Sequence, residues 1–192
     1  MDPVANAAVR FTALSALFDV TSQRHLADRG VAPGWQCLEV GAGGGSIARW
    51  LGQRVGPTGR VLATDVDTQY LEKIELPNID VRRHDITRDA LPERAFDLIH
   101  TRMVLLHLSS RDLVLPRLLS ALKPGGWLVC EEFDRQSAPP DPDVSPGEVV
   151  LKTNQALGRA HQDQGGARQY GRVLFGRLRA MGLTGLAPKR AW

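Results

Sequence analysis

The stretch Cys37-Leu38-Glu39-Val40-Gly41-Ala42-Gly43-Gly44-Gly45-Ser46 decides the fold of this chain. Apolar residues typical of a buried strand lead into a glycine-rich turn, and the residues from Ser46 onward have the pattern of a helix. Glycines allow a sharp turn and let a ligand lie against the backbone, while the first N–H groups of a helix can receive an anionic group. The stretch therefore predicts a strand–turn–helix unit that binds a nucleoside cofactor.

The spacing of the glycines differs from that of the dinucleotide-binding fingerprint. That fingerprint, Gly-x-Gly-x-x-Gly, requires its third glycine where this chain has Ser46, and the additional glycine here is Gly45. Glu39, at the end of the predicted strand, can accept a hydrogen bond from a cationic ammonium group but would repel a pyrophosphate. Both features disfavour a nicotinamide-dependent oxidoreductase.

The composition is that of one soluble globular domain, with 192 residues, 43% hydrophobic residues and a net charge of +3. No run approaches the roughly 18 apolar residues of a membrane span, and the N-terminus lacks the pattern of a signal peptide, so we expect a cytoplasmic protein. Cys37 and Cys130 lie in predicted strands without metal-ligand spacing, and we expect neither a disulfide nor a metal site. The basic C-terminal part lacks the interleaved aromatic residues of a nucleic-acid surface, which favours a solvated helix face.

Strand and helix patterns alternate along the chain. We predict helices over 9–28, 46–55, 68–74 and 110–122, and strands over 35–40, 60–64, 79–83, 96–101 and 127–132. This alternation predicts an α/β fold: a Rossmann-like, doubly wound and mainly parallel sheet of six to seven strands, with helices on both faces. The short C-terminal part leaves open whether the last strands are complete.

The C-terminal part begins with a proline-rich loop over 136–147 and continues with predicted helices over 148–164 and 168–181 and a short strand over 183–192. An incomplete sheet would expose a strand edge, which favours a homodimer that covers it. The single domain 1–192 would then comprise a covering helix (1–34), a cofactor-binding core (35–134) and a substrate-side segment (135–192).

Polar residues close almost every predicted strand. Ligands of such sheets bind beyond the carboxyl ends of the strands, so these residues form the predicted site. They are Glu39, Asp65, His84, Asp85, His100, Thr101, Arg102, Glu131 and Glu132.

The order of these motifs resembles that of the class I S-adenosylmethionine-dependent methyltransferases, especially the small-molecule enzymes of the ubiquinone/menaquinone-biosynthesis type. The resemblance covers roughly residues 35–134. It implies S-adenosyl-L-methionine as the cofactor and methyl transfer to O, N or C of a small-molecule acceptor by in-line displacement. The motifs that carry it are Glu39–Ser46, Ala63–Asp67, His84–Ile86, Phe96–Ile99, Leu106–Leu108 and Leu122–Gly126.

The resemblance also implies roles for the residues of the glycine-rich turn. Gly41, Ala42, Gly43 and Gly45 would let the amino-acid part of the cofactor pass along the backbone. Glu39 would lie close to that zwitterion and its water.

A second group of residues is implied to hold the nucleoside and the methionine end. Asp65 would bind both ribose hydroxyls, and Val66 would pack on one face of the adenine. The Asp85 carboxylate and the Ile86 backbone N–H would bind the adenine edge, and Thr101 would lie near the methionine and sulfonium end.

His107 is the candidate general base for an acceptor that must lose a proton, because it follows strand four and an imidazole titrates near neutral pH. A structural role in the following loop remains open. So does a second function, an S-adenosylmethionine-binding module with little or no catalysis. Arg102, Glu131 and Glu132 are assigned to the acceptor side by strand position, and the sequence does not identify the acceptor.

Overall fold

The computed structural model describes residues 3–134, 152, 159, 163, 165–167 and 169–188. Their helices and strands follow the predicted alternation. In chain order the elements are α1 (Pro3–Ala27), β1 (Gln36–Val40), α2 (Ser46–Val55), β2 (Arg60–Asp65), β3 (Ile79–Arg83), β4 (Phe96–Arg102), a 3₁₀ helix (Leu105–His107), α3 (Arg111–Ala121), β5 (Leu122–Glu131) and α4 (Tyr170–Ala180).

The five strands form one sheet in the order β3-β2-β1-β4-β5. β1 pairs in parallel with β2 on one side and with β4 on the other, and β2 pairs in parallel with β3. The strand order therefore reverses between β1 and β4. In a doubly wound sheet this reversal marks the place where ligands bind, beyond the carboxyl ends of the strands.

The core of the sheet lies between β1, β2, β4 and helix α2. Helix α2 presents its apolar side chains to the sheet because they recur at helical spacing. The buried cluster comprises Leu26, Val31, Cys37, Ile47, Ala48, Leu51, Val55, Val61, Ala63 and Leu98. Neither cysteine forms a disulfide bond, and burial raises the pKa of the Cys37 thiol to about 12, so this thiol is a packing group.

Asp97 holds the beginnings of three strands together. Its Oδ2 accepts hydrogen bonds from the Gln36 backbone N–H (2.7 Å) and from Lys123 Nζ (2.7 Å). These contacts lie at the starts of β1, β4 and β5, away from the carboxyl ends. Asp97 therefore supports strand packing, and it is not one of the predicted site residues.

Two predicted elements are wrong within the described residues. Residues 68–74 form turns instead of a helix: Leu71 N donates to Thr68 O and Ile74 N donates to Leu71 O, and bonds across three residues close turns. Residues 183–188 are irregular instead of extended, because Gly185 has a φ of 67° and Pro188 lacks an N–H.

The described residues therefore carry five strands, and the predicted sheet of six to seven strands is not found among them. Helix α4 confirms the helix predicted over 168–181. The proline-rich loop over 136–147 and residues 189–192 lie outside the described residues, as does most of the helix predicted over 148–164.

The described residues fall into two compact units. The first unit comprises residues up to 102 together with 112–130, and the second comprises 103–111 together with those from 131 onward. The first unit carries the sheet, and the second carries the 3₁₀ helix and α4. Within the described part of the chain, no helix has both the length and the apolar character that crossing a membrane requires.

Candidate functional site

The glycine-rich turn follows β1 directly and is tied to the end of β2. Gly41 and Gly43 have φ angles of 67° and 54°, a left-handed conformation that favours glycine. The Ala42 N–H donates to Thr64 O (2.9 Å), and the Gly43 N–H donates to Asp65 Oδ2 (2.8 Å). The structure thus brings the predicted turn residues and Asp65 together.

Helix α1 lies over this turn, as the sequence indicates, and contributes Phe11. A Cβ atom placed on Gly43 would lie 2.8 Å from Phe11 Cε1, and one on Gly44 would lie 3.0 Å from Phe11 Cβ. The Phe11 ring also meets Tyr70 edge-on, with 5.1 Å between ring centroids. The turn accommodates the Phe11 ring because Gly43 and Gly44 have no side chains.

Asp65 and Val66 form the next part of the site. Asp65 Oδ1 accepts a bond from the Asp67 backbone N–H (3.2 Å), so each carboxylate oxygen already holds one backbone donor and keeps a second acceptor position. Val66 is 60% exposed, an unusual position for an aliphatic side chain at the end of a buried strand. It offers an apolar surface beside a carboxylate.

The loop after β3 brings Asp85 and Ile86 to the same edge, because the His84 N–H donates to Asp65 O (2.9 Å). The Thr87 hydroxyl lowers the pKa of the Asp85 carboxyl, and the Thr87 backbone N–H adds to this effect. Among the described residues, none accepts a hydrogen bond from the Ile86 N–H. The Asp85 carboxylate, a hydrogen-bond acceptor, therefore lies next to the Ile86 N–H, a hydrogen-bond donor.

Glu39 is placed differently from the expectation that it lies beside a bound zwitterion. Its side chain is almost fully buried, and Oε2 lies 2.7 Å from Nδ1 of His100, which is its register partner on β4. The next residue, Thr101, is also buried, and its hydroxyl has no hydrogen-bond partner in the described structure. Parallel register between β1 and β4 is the signal that could have paired Glu39 with His100.

Arg102 also differs from its predicted place on the acceptor side. Its Nη1 donates to Asp19 Oδ1 (2.9 Å) and to Ser22 Oγ (3.0 Å), both on α1. Asp19 Oδ1 further accepts a bond from the Ser46 hydroxyl at the start of α2 (3.1 Å). Asp19 is not among the predicted site residues; its signal in the sequence is a carboxylate on the inward side of an amphipathic helix.

The second unit contains His107 and Glu132. His107 is exposed and is the last residue of the 3₁₀ helix. Glu132 is mostly buried, and its carboxylate accepts hydrogen bonds from the backbone N–H groups of Val104, Leu105 and Leu106. Burial raises the pKa of Glu132 to about 7, against the opposing effect of these bonds.

The sequence model of a family described as "Methyltransferase domain" matches residues 10–181. The chain belongs to the class I S-adenosylmethionine-dependent methyltransferases. The cofactor of this family is S-adenosylmethionine. The glycine-rich turn, Asp65 and the Asp85 loop of this methyltransferase all lie within the matched residues.

Two curated relatives resemble this methyltransferase over part of their length. Methyltransferase str2 of Strobilurus tenacellus is 33% identical over 138 residues, which are 71% of this chain and 49% of that protein. The ubiquinone/menaquinone biosynthesis C-methyltransferase UbiE of Laribacter hongkongensis is 32% identical over 126 residues, 61% of this chain and 50% of that protein. The chain spans about half the length of the curated relatives it matches.

The fold of this methyltransferase also matches a solved structure. A SAM-dependent methyltransferase from Aquifex aeolicus superposes with a TM-score of 0.60 at 24% identity, covering 86% of this chain and 88% of that one. A likeness at this identity shows the shared fold.

Proposed function

We propose that this chain binds S-adenosylmethionine at the carboxyl edge of its sheet and transfers the methyl group to O, N or C of a small-molecule acceptor. The observation that carries this proposal is the contact between Asp65 and the Gly43 N–H, beside the exposed Val66. This contact places a carboxylate, an apolar side chain and a glycine-rich turn next to one another at the reversal point of the sheet.

The nucleoside part of the cofactor fits the residues present. The free acceptor positions of Asp65 match two ribose hydroxyls, and the exposed Val66 matches one face of an adenine ring. Asp85 and the Ile86 N–H supply one acceptor and one donor, which is the pattern of the adenine amino group and its neighbouring ring nitrogen. We assign these four residues to the nucleoside.

We assign the amino-acid part of the cofactor to Gly41, Ala42, Gly43 and Gly45, whose backbone would line it. Glu39 stays assigned to the zwitterion, with its buried carboxylate 2.7 Å from His100 Nδ1. Thr101 stays assigned to the methionine end as a buried strand residue. The presence of Phe11 against the turn would exclude water from this part of the site.

The chemistry requires alignment more than activation. The bound cofactor supplies an electrophilic sulfonium methyl. Holding it in line with an acceptor can contribute roughly 7–11 kcal/mol to the reduction of the barrier. For a hydroxyl or ammonium acceptor, we assign His107 as the general base, since an imidazole can take up a proton near neutral pH.

Three further properties belong to this proposal. We propose a cytoplasmic protein with either a sheet completed to six or seven strands or a homodimer that covers the open sheet edge. The last two are supported by β5, which ends the strand order of the described residues and would leave backbone groups unpaired.

A second candidate function is a module that binds the cofactor with little or no methyl transfer. The two functions separate in an assay with S-adenosylmethionine labelled in its methyl group and a panel of phenols, amines and quinols. Labelled product supports the transferase, whereas cofactor binding without labelled product from any acceptor supports the module.

A further inference from the structure

One carboxylate in the second unit collects three successive backbone donors. Glu132 Oε1 accepts from Val104 N (3.2 Å) and Leu105 N (2.9 Å), and Oε2 accepts from Leu106 N (3.1 Å). These are N–H groups at the start of the 3₁₀ helix, which its own first residues cannot satisfy. Glu132 therefore caps this helix from a distant position in the sequence.

The entry to the 3₁₀ helix is held in an uncommon backbone conformation. Met103 has a φ of 56°, which non-glycine residues seldom adopt, and its N–H donates to Glu131 O (2.7 Å). A strained residue persists only when its surroundings hold it, and here the residues next to Glu132 do so. The end of β5 thus determines the path of 103–107.

The exit of the 3₁₀ helix is held by Arg111 and by the segment before α4. Arg111 Nε donates to Leu105 O (3.2 Å), and its Nη2 donates to Gly165 O. The Ala167 N–H donates to Leu106 O (2.8 Å). Within this frame, the carboxylate of Glu132 accepts hydrogen bonds from two N–H groups of the 3₁₀ helix and from that of Val104 before it.

We infer that Glu132 is a positioning residue: its carboxylate holds the 3₁₀ helix that carries His107 in a single backbone conformation. The inference deepens the proposed function, because it rests on His107 as the base. The position of Glu132 after the last predicted strand does not predict this role, because that position assigned Glu132 to the acceptor side. A 1 Å displacement of a positioned group can lower a rate about 100-fold, so the backbone of this helix matters for catalysis.

The charges around Glu132 make its ionisation measurable. Burial raises its pKa to about 7, and the three N–H bonds and the charge of Arg111 oppose that rise. Arg111 and Arg177 both lie over the Tyr170 ring, and Asp134 pairs with Arg172 (2.8 Å). His107 is on the 3₁₀ helix itself, so its ionisation also affects the backbone amides of this helix.

The test follows the backbone amides of residues 104–106 by NMR as a function of pH. In the unaltered protein, their proton shifts should move together with a midpoint near the pKa of Glu132. Glu132→Gln keeps the size of the side chain but replaces one acceptor oxygen with an amide donor, and it should abolish the part of this titration that has its midpoint near the pKa of Glu132. The same amides should exchange with solvent at least about tenfold faster at pH 8, because at least one N–H loses its acceptor.

Asp134→Asn is the matched control, because it removes a carboxylate from the same unit and leaves the Glu132 bonds in place. It should titrate as the unaltered protein does. Glu132→Asp keeps the charge with a shorter reach and should give an intermediate exchange rate, so it decides the matter if Glu132→Gln does not fold. Amides that ignore pH in the unaltered protein, or that exchange equally fast in Glu132→Gln, would overturn the inference.

Calorimetry with S-adenosylmethionine separates this inference from the proposed function. The residues assigned to the cofactor all belong to the first unit, so Glu132→Gln should bind the cofactor as tightly as the unaltered protein. Absence of binding in the unaltered protein refutes the proposed function. The amide titration then still decides whether Glu132 holds the 3₁₀ helix.

Discussion

Gly43 combines a left-handed backbone with a neighbouring aromatic ring. Its φ of 54° is strained for any residue with a side chain, and a Cβ atom would lie 2.8 Å from Phe11 Cε1. Its N–H also bonds to Asp65 Oδ2. The same residue therefore shapes the turn, accommodates Phe11 and orients the carboxylate assigned to the ribose.

Gly43→Ala should lower the free energy of unfolding by about 1–2 kcal/mol, the cost of a left-handed conformation for a residue with a Cβ atom. It should also weaken S-adenosylmethionine binding. Chemical denaturation and calorimetry measure the two effects. The matched control is Gly176→Ala within α4, where a Cβ atom meets nothing within 4 Å and should stabilise the helix. Equal stabilities of the two variants would contradict this account of the turn.

At the residue scale, sequence predicts local chemistry better than tertiary partners. The positions of Gly43 and Asp65 in their motifs follow from spacing, and the structure brings them together. The partner of Glu39 does not, because His100 reaches it only through the register of β1 and β4. Phe11 likewise becomes a site residue through the packing of a helix that begins far from the turn in sequence.

Among the elements, α1 is joined to the sheet by a cluster of polar contacts. The side chains of Arg102 and Asp19 are only 13% and 17% exposed, and their 2.9 Å contact links β4 to α1. Ser46 connects the same Asp19 to α2. Because both charges are mostly out of water, removing one of them leaves the other poorly compensated.

Arg102→Ala should therefore lower the free energy of unfolding by about 1.5–3 kcal/mol, the range for hydrogen bonds to charged groups. Arg24→Ala, an exposed arginine on the same helix, should change it by less than about 0.5 kcal/mol. Denaturant titration measures both variants. An Arg102→Ala variant as stable as Arg24→Ala would show that the cluster does not hold α1.

The carboxyl group of Glu132, the residue after β5, should make the stability of the protein depend on pH. Glu132 has a pKa raised from 4.5 to about 7 in the folded state, so the folded protein binds a proton that the unfolded chain releases. Its contribution to stability is fully present below about pH 4.5 and is lost as the pH rises to about 7. Relative to Glu132→Gln, the free energy of unfolding should fall over this window by on the order of 3 kcal/mol, because the pKa rises from 4.5 to about 7 and one pKa unit corresponds to about 1.4 kcal/mol.

Denaturant titrations at several pH values between 4.5 and 8 measure this difference. Asp134→Asn serves again as the control, and its stability difference from Glu132→Gln should follow the same slope. A difference that rises with pH, or that stays constant, would contradict a raised pKa for Glu132.

Element prediction succeeds where apolar periodicity is strong and fails where the segment is short. β1, β2, β4 and α2 follow from their buried residues. The segment 68–74 has a helical pattern, yet it spans only about two helical turns and closes as turns. The 3₁₀ helix after β4 could not be predicted either, because its cap, Glu132, lies 25 residues beyond His107 in the sequence.

For the whole molecule, the decisive feature is where the strand order reverses. β1 lies between β2 and β4, so the glycine-rich turn that follows β1 lies at the reversal point, beside the ends of β2 and β4. The family match covers both the sheet and α4. The acceptor does not follow from the sequence, which has its least regular pattern in the proline-rich part after β5.

The central claim is that this edge of the sheet is an S-adenosylmethionine site built on Asp65. Calorimetry of S-adenosylmethionine and NAD with the unaltered protein, Asp65→Ala and Asp67→Ala tests it most directly. Asp67 is the matched control because it is an exposed carboxylate two residues away whose side chain bonds to Gln69. We predict binding of S-adenosylmethionine and not of NAD, a loss of roughly 10- to 100-fold in affinity for Asp65→Ala, and no change for Asp67→Ala. Binding of NAD without S-adenosylmethionine, or equal affinities in the three proteins, would contradict the account.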